Sequence, residues 1–228
     1  MYRRDMDAMH EGDVRGGRHL MRKVLVISAG IVHPSIRARI YLRRLLMRMP
    51  GLKYTFASSI EACRRLRAGG FAAVAIYLHR QGTSQEALSS LDEFVSGGGG
   101  LLALHSASAS FKKHEGFFKI LGGRFVTHGP VAEYTIKQSE GDSLFAPTKP
   151  FVLRDELYIH EYDSENEIHF LAERPNGTEP VIWTRSYGMG RVCYVAPGHR
   201  AANLLNPQLQ AIITRGLAWV SRSDEHEK

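Results

Sequence analysis

Apolar residues follow two rhythms along the first half of the chain. Residues 23–28, 71–78 and 101–104 are short, nearly unbroken apolar runs. Such runs predict strands covered on both faces, as in a parallel sheet. Residues 53–57 read as a short second strand. Between these runs the spacing becomes helical. Ile36, Ile40, Leu42, Leu45, Leu46 and Met49 give residues 35–48 an apolar side, and Pro34 is expected to open that helix where its missing N–H costs nothing. Ser58-Ser59-Ile60-Glu61 reads as a cap, with Glu61 three residues after Ser58, and Gly69-Gly70 as the stop of the element it starts. Ser84 begins a further helix that runs to about Ser96. This β-α alternation predicts an α/β fold built on a doubly wound, mostly parallel, flavodoxin-like sheet with right-handed crossovers.

The pattern changes after about residue 124. Residues 131–136, 167–172, 179–185 and 191–196 read as strands separated by turns. Some of them are expected to form an antiparallel addition, with 192–195 returning to the main sheet. Gly188-Met189-Gly190 is a tight hairpin signal. Asn206-Pro207 starts a closing helix that carries Leu209, Ile212, Ile213, Leu217, Trp219 and Val220. No internal repeat or long linker interrupts the pattern. Residues 21–222 are therefore expected to form a single domain, with residues 1–20 a mobile leader and 223–228 a charged tail.

Charge and composition narrow the functional classes. The formal charge is +7, and much of the excess lies on Arg37, Arg39, Arg43, Arg44 and Arg48 of the first helix. No zinc finger, RNA-recognition or helix-turn-helix pattern accompanies it, so a solvated helix face is preferred to a nucleic-acid partner. No apolar run approaches the length of a membrane span, and the first twenty residues lack the apolar stretch of a secretory signal. Cys63 and Cys193 show no metal or redox spacing and read as reduced packing residues, which makes a cytoplasmic location the default expectation.

Chemistry-bearing residues gather where strands or their loops end. His33, His79, His105 and His199 each follow a predicted strand, at the edge where open α/β sheets bind ligands. His128 and the segment Asp155-Glu156 with Tyr158 to His160 are further candidates. Two chemistries fit. A divalent metal such as zinc, held by His105, His128 and His199, would activate water or polarise a carbonyl. Alternatively, histidine paired with Glu156 would move protons without a metal. Neither His-Glu-x-x-His nor Cys-x-x-Cys is present. Ser106 lacks the flanking glycines of a serine-nucleophile elbow and has a helix-capping alternative. Glu156 has the alternative of a loop cap or surface ion pair, and His33 that of simply preceding a proline.

Six motifs in order carry a resemblance to a known family. They are Phe94-Val95-x-Gly97-Gly98-Gly99-Gly100-Leu101 leading to Leu104-His105-Ser106-Ala107, Leu121-Gly122-Gly123-Arg124-Phe125-x-x-His128, Asp155-Glu156-Leu157-Tyr158, Pro180-x-x-Trp183, Gly188-x-Gly190-Arg191-Val192-x-Tyr194 and Gly198-His199. From about Lys23 to Val220 the chain resembles the trehalose-utilisation ThuA-like family of the class I glutamine amidotransferase-like superfamily. The resemblance implies the amidotransferase topology and a link to sugar metabolism. It also places His105 where true glutaminases carry their nucleophilic cysteine, which argues against glutamine hydrolysis. Family members often carry an acid after the third strand, where this chain has His79-Arg80.

The expected function is thus a carbohydrate-active enzyme of isomerase or hydrolase type, acting on a disaccharide, glycoside or keto-sugar derivative. His105, Glu156, His128 and His199 are its catalytic candidates. Ser106, Tyr158, Arg200, His33 and His79 are its substrate-binding candidates. Glu156, Asp155 and Glu161 are the only carboxylates available to a conventional glycosidase, which would need two about 5 Å apart. The competing expectation is a non-catalytic sugar-binding module on the same fold. A homo-oligomer is compatible with either.

Overall fold

A computed structural model describes residues 21–31, 33–175 and 177–226. The first half alternates as the apolar rhythm predicts: β1 (Arg22–Ala29), α1 (Ile36–Leu46), β2 (Leu52–Ala57), β3 (Phe71–Leu78), α2 (Gln85–Ser96) and β4 (Gly100–Leu104). The second half continues with α3 (Glu115–Leu121), β5 (Gly123–His128), β6 (Ala132–Gln138), β7 (Phe151–Asp155) and β8 (Tyr158–Tyr162). It ends with β9 (Glu167–Arg174), β10 (Gly177–Tyr187), β11 (Gly190–Val195) and α4 (Pro207–Ser221). Nine strands form one sheet in the order β2-β1-β3-β4-β11-β10-β9-β6-β7. The first five run parallel, and β10 turns the sheet antiparallel. The parallel part has the 2-1-3-4-5 winding of flavodoxin-like sheets, with β11 as fifth strand. α1 and α4 pack together on one face, and α2 with α3 on the other. β5 and β8 form a separate antiparallel ribbon.

The strands buried on both faces are those with no polar alternation. In β3 and β4 every residue from Ala73 to Leu78 and from Gly100 to Leu104 is buried. Burial of this kind contributes roughly 25 cal/mol per Å² of apolar surface. Trp183 anchors the start of the antiparallel part; it is fully buried and donates its indole N–H to Leu121 O at 2.9 Å. Cys63 and Cys193 are free and buried, as expected of packing residues. Among the described residues no helix is long and apolar enough to cross a membrane.

Local expectations are corrected at four places. Pro34 does not open α1. Ser35 is the N-cap, its hydroxyl accepting the Ala38 N–H at 3.2 Å, and Pro34 lies one residue earlier. Glu61 does not close a capping box with Ser58. Ser59 caps the 3-10 segment Ile60–Arg65, and the Glu61 carboxylate instead takes the Ser84 N–H at 2.9 Å, tying that segment to the start of α2. β7 and β8 replace what reads as loop in the sequence, and β5 replaces a turn. The alternation in β7 is disguised because its inward positions are Phe151, Leu153 and the buried Asp155, while Val152 faces outward. The expected leader lies outside the described residues.

The glycine run ahead of β4 is a packing device. A Cβ on Gly100 would lie 2.1 Å from Val220 O of α4, and one on Gly99 2.4 Å from the Phe94 ring. We expect Gly100→Ala to destabilise the protein by about 2–4 kcal/mol, read as a lower urea midpoint at unchanged slope. A buried polar group organises the loop after β6: Asp142 accepts from Gln138 Nε2 at 2.7 Å, from Leu144 N–H at 2.9 Å and from His169 Nδ1 at 3.0 Å. Burial opposes ionisation, yet these hydrogen bonds hold the Asp142 carboxyl below its ordinary value. Its contribution is therefore complete above the unfolded carboxyl value near 3.9 and is lost as pH falls through the lower folded one. Asp142→Asn should cost about 1–3 kcal/mol at neutral pH and flatten the acid side of a stability–pH curve from urea titrations.

Candidate active site

Parallel strands β1, β3, β4 and β11 finish along one edge, and the segments leaving them supply the site. After β1 the chain folds back at Gly30, whose φ of 143° only glycine adopts readily; a Cβ there would meet His33 O at 2.6 Å. This return brings His33 beside His199, with ring centroids 4.7 Å apart. After β4 the chain turns abruptly. His105 takes a left-handed φ of 43°, rare outside glycine, and starts the 3-10 segment His105–Ala109. Its backbone oxygen is held in that conformation by the Tyr194 hydroxyl at 2.9 Å and the Ser108 hydroxyl at 3.3 Å.

The His105 side chain has no exposed surface. Its Nδ1 lies 2.8 Å from Ala196 O; a carbonyl only accepts, so Nδ1 carries the hydrogen and Nε2 the lone pair. Burial lowers its pKa to about 3, with repulsion from His199, His33 and His160 adding and the bond to Ala196 O opposing. His105 is thus a neutral imidazole at physiological pH, and its Nε2 points toward Glu156 Oε2 at 3.9 Å.

Glu156 follows β7, and Asp155 before it fixes the opposite wall. The Asp155 carboxylate accepts the backbone N–H groups of Gly198 at 2.7 Å, His199 at 3.2 Å and Arg200 at 3.0 Å. Burial raises its pKa despite these donors. The same loop is held from below by the Tyr77 hydroxyl, which donates to Gly198 O at 2.5 Å. His199 Nδ1 consequently lies 3.3 Å from Glu156 Oε2, and His128 Nδ1 lies 4.0 Å from Glu156 Oε1. Three buried atoms in this cluster, His105 Nε2, Glu156 Oε2 and His199 Nδ1, have no hydrogen-bond partner among the described residues. Ligand atoms of His33, Glu156 and His199 lie within 4.8 Å of one another, so these three can hold a metal ion. Burial and the neighbouring His199 lower the His33 pKa, with Glu156 opposing.

The remaining candidates divide. Tyr158 is buried under the cluster, its ring 4.2 Å from His105 and stacked at 5.7 Å with His128. His128 is more than a third exposed and uses Nδ1 on Gly129 O at 2.8 Å. His79 reaches only the rim, 6.1 Å from the His33 ring, with its pKa lowered by burial and by Lys112 and Arg80. Ser106 points into the core and donates to Leu78 O at 3.1 Å, so a sugar-binding hydroxyl is not available there. Arg200 contributes its backbone N–H to Asp155, while its side chain is exposed. Glu161 pairs with Arg124 on the surface, away from the cluster. Of the expected metal ligands only His199 belongs to the three residues whose ligand atoms converge; His105, whose Nε2 lone pair is free, lies outside that set, and His128 stands at the outer side of Glu156.

Beneath the site, the sequence reading named His160 but not Ser108, Tyr194 or Glu179 as candidates. Ser108 Oγ and Tyr194 OH each lie 3.1 Å from His160 Nε2, and the His160 N–H donates to Glu179 at 2.9 Å. This buried chain carries the fixation of His105 back to β10.

A doubly wound sheet whose fifth strand arrives last, with an antiparallel wing and polar groups along the carboxyl edge, defines a flavodoxin-like α/β protein. The chain belongs to the ThuA family, described as trehalose utilisation, whose family model matches residues 23–220. It is similar in fold to a ThuA-like protein from Parabacteroides merdae, at 18% identity and TM-score 0.77 over 89% of this chain and 90% of that one. A ThuA-like protein from Bacteroides uniformis matches at 14% identity and TM-score 0.71, over 88% and 91%. A β-galactosidase from Rahnella sp. R3 matches at 14% identity and TM-score 0.63, over 87% of this chain but 31% of that one. No curated protein matches the chain significantly. Family membership links the chain to carbohydrate metabolism and to a small-molecule carbohydrate partner.

Because Asp155 alone binds three consecutive amides of the loop, we expect Asp155→Ala to release it. The cost should be about 2–4 kcal/mol in thermal unfolding, with the His199 side-chain NMR signals shifting while those of His169 stay in place.

Proposed function

We propose that the protein is an enzyme of carbohydrate metabolism that moves a proton next to the carbonyl of an oxidised (keto) sugar, glycoside or disaccharide. The observation that carries this reading is the convergence of His33, His105, His128 and His199 on the single carboxylate of Glu156, in the cleft at the strand ends. His128 is the group for proton transfer. Its Nδ1–H is committed to Gly129 O, which leaves the Nε2 lone pair on a side chain that substrate can reach. His33, Glu156 and His199 form the locus for the substrate's oxygen atoms. His105 and Tyr158 form its floor.

The supply of carboxylates supports this chemistry over a conventional glycosidase. Double displacement needs two carboxyl groups about 5 Å apart. Asp155 is saturated by backbone donors and Glu161 is paired at the surface, so Glu156 stands alone. A thioester route is equally unsupported. Burial pushes both cysteine thiols up to about 12, and His105 occupies the turn after β4.

The test is deuterium incorporation from D2O, followed by NMR, over a panel of keto derivatives of disaccharides and simple glycosides. We expect exchange or isomerisation with at least one member, lowered about 100-fold or more by His128→Ala and by Glu156→Gln. Tight sugar binding with no exchange, isomerisation or bond cleavage anywhere in the panel would instead identify a binding module.

A further inference from the structure

We infer that His33, Glu156 and His199 bind a divalent transition-metal cation such as Zn²⁺, with the lone pair of His105 Nε2 directed at Glu156 from beneath. Two observations carry this independently of any proton-transfer role. The first is the donor set. Two imidazoles and one carboxylate, from three separate segments, present ligand atoms within 4.8 Å of one another and are each only partly exposed. Two histidines and a carboxylate with open positions make a common set for catalytic zinc and for other divalent transition metals.

The second observation is the set of orphaned atoms. His105 is wholly buried and its tautomer is fixed by Ala196 O, so a lone pair at Nε2 faces the carboxylate oxygen of Glu156 across 3.9 Å. Two electron-pair donors facing each other without an intervening hydrogen are mutually repulsive, and each unsatisfied buried polar atom costs about 1–3 kcal/mol. His199 Nδ1 comes within 3.3 Å of the same oxygen but is not aligned for a hydrogen bond. A positive charge bound at Glu156 compensates this arrangement. Lys112, over the Phe125 ring, and Arg124, engaged by Glu115 and Glu161, are turned to other partners. Fixation of ligands by groups behind them is typical of metal centres. Here Asp155 holds the backbone of the His199 loop, and the turn at Gly30 presents His33.

This assignment deepens the catalytic reading and rests on it only for the cation's use. The cation would polarise the substrate carbonyl at the oxygen-binding locus, and His128, outside the ligand set, keeps its role in proton transfer. Binding itself is testable without any substrate. Protein stripped with chelator is titrated with Zn²⁺ by calorimetry, and with Co²⁺ by visible absorption, whose intensity reports coordination geometry.

One equivalent is expected to bind. Affinity should fall about 100-fold or more in His33→Ala and in Glu156→Gln, and remain unchanged in His114→Ala, with all three variants checked by thermal unfolding. Absence of stoichiometric binding, or binding that persists unchanged in both His33→Ala and Glu156→Gln, would overturn the assignment. Stoichiometric, ligand-dependent binding without turnover of the sugar panel would sustain the metal site and remove the catalytic reading. Exchange activity in stripped protein that binds no metal would do the reverse.

Discussion

The carboxylate of Asp155 joins the outer edge of the antiparallel wing to the loop that leaves the parallel core. It ends β7, the outermost strand of the antiparallel wing, and collects three consecutive amide hydrogens from the loop that follows β11 in the parallel core. A flexible loop at a strand end leaves its backbone N–H groups to solvent. This one is anchored by charge-assisted bonds inside a buried setting, where such bonds are at their strongest. Glu156 and His199 flank the anchor on its two sides, so their separation is fixed by backbone geometry rather than by side-chain preference.

A second rigid point is the left-handed turn at His105. Tyr194, Ser108 and His160 form a buried polar chain beneath it, and Gly198 passes so close that a Cβ there would lie 3.2 Å from His105 Cβ. Non-glycine residues in this conformation cost energy and persist where surroundings over-determine them. The turn thus places a neutral imidazole with a defined lone pair in the floor of the cleft.

Much of the architecture was legible because the parallel strands are covered on both faces. Their apolar runs, with capping serines and stopping glycines, gave β3 and α2 with their observed ends, and β1, β4 and α4 to within one or two residues. The antiparallel wing was harder. β7 buries an aspartate and exposes a valine, and β8 carries a histidine inward, so neither presents a clean alternation. The gathering of histidines at the strand edge followed from topology, because residues leaving parallel strands must share an edge. Which of them approach Glu156 closely did not follow. That depends on a glycine turn at 30, a backbone anchor at 155 and a carbonyl at 196, none of which leaves a pattern in side-chain types. Ser106 shows the same limit: one residue of rotation beyond His105 turns its hydroxyl into the core.

The position of β11 bears on how the chain must assemble. β4 pairs with β3 on one side and, on the other, with a strand some ninety residues later, Leu101 opposite Val192. As the polypeptide leaves the ribosome, the first four strands can wind up early, but the fifth place in the sheet stays vacant through the synthesis of the whole wing. An exposed, apolar β4 edge is an aggregation hazard for that interval, and pairing over such sequence separation is slow. Completion of the parallel core, and with it the floor of the cleft, therefore waits for the synthesis of β11.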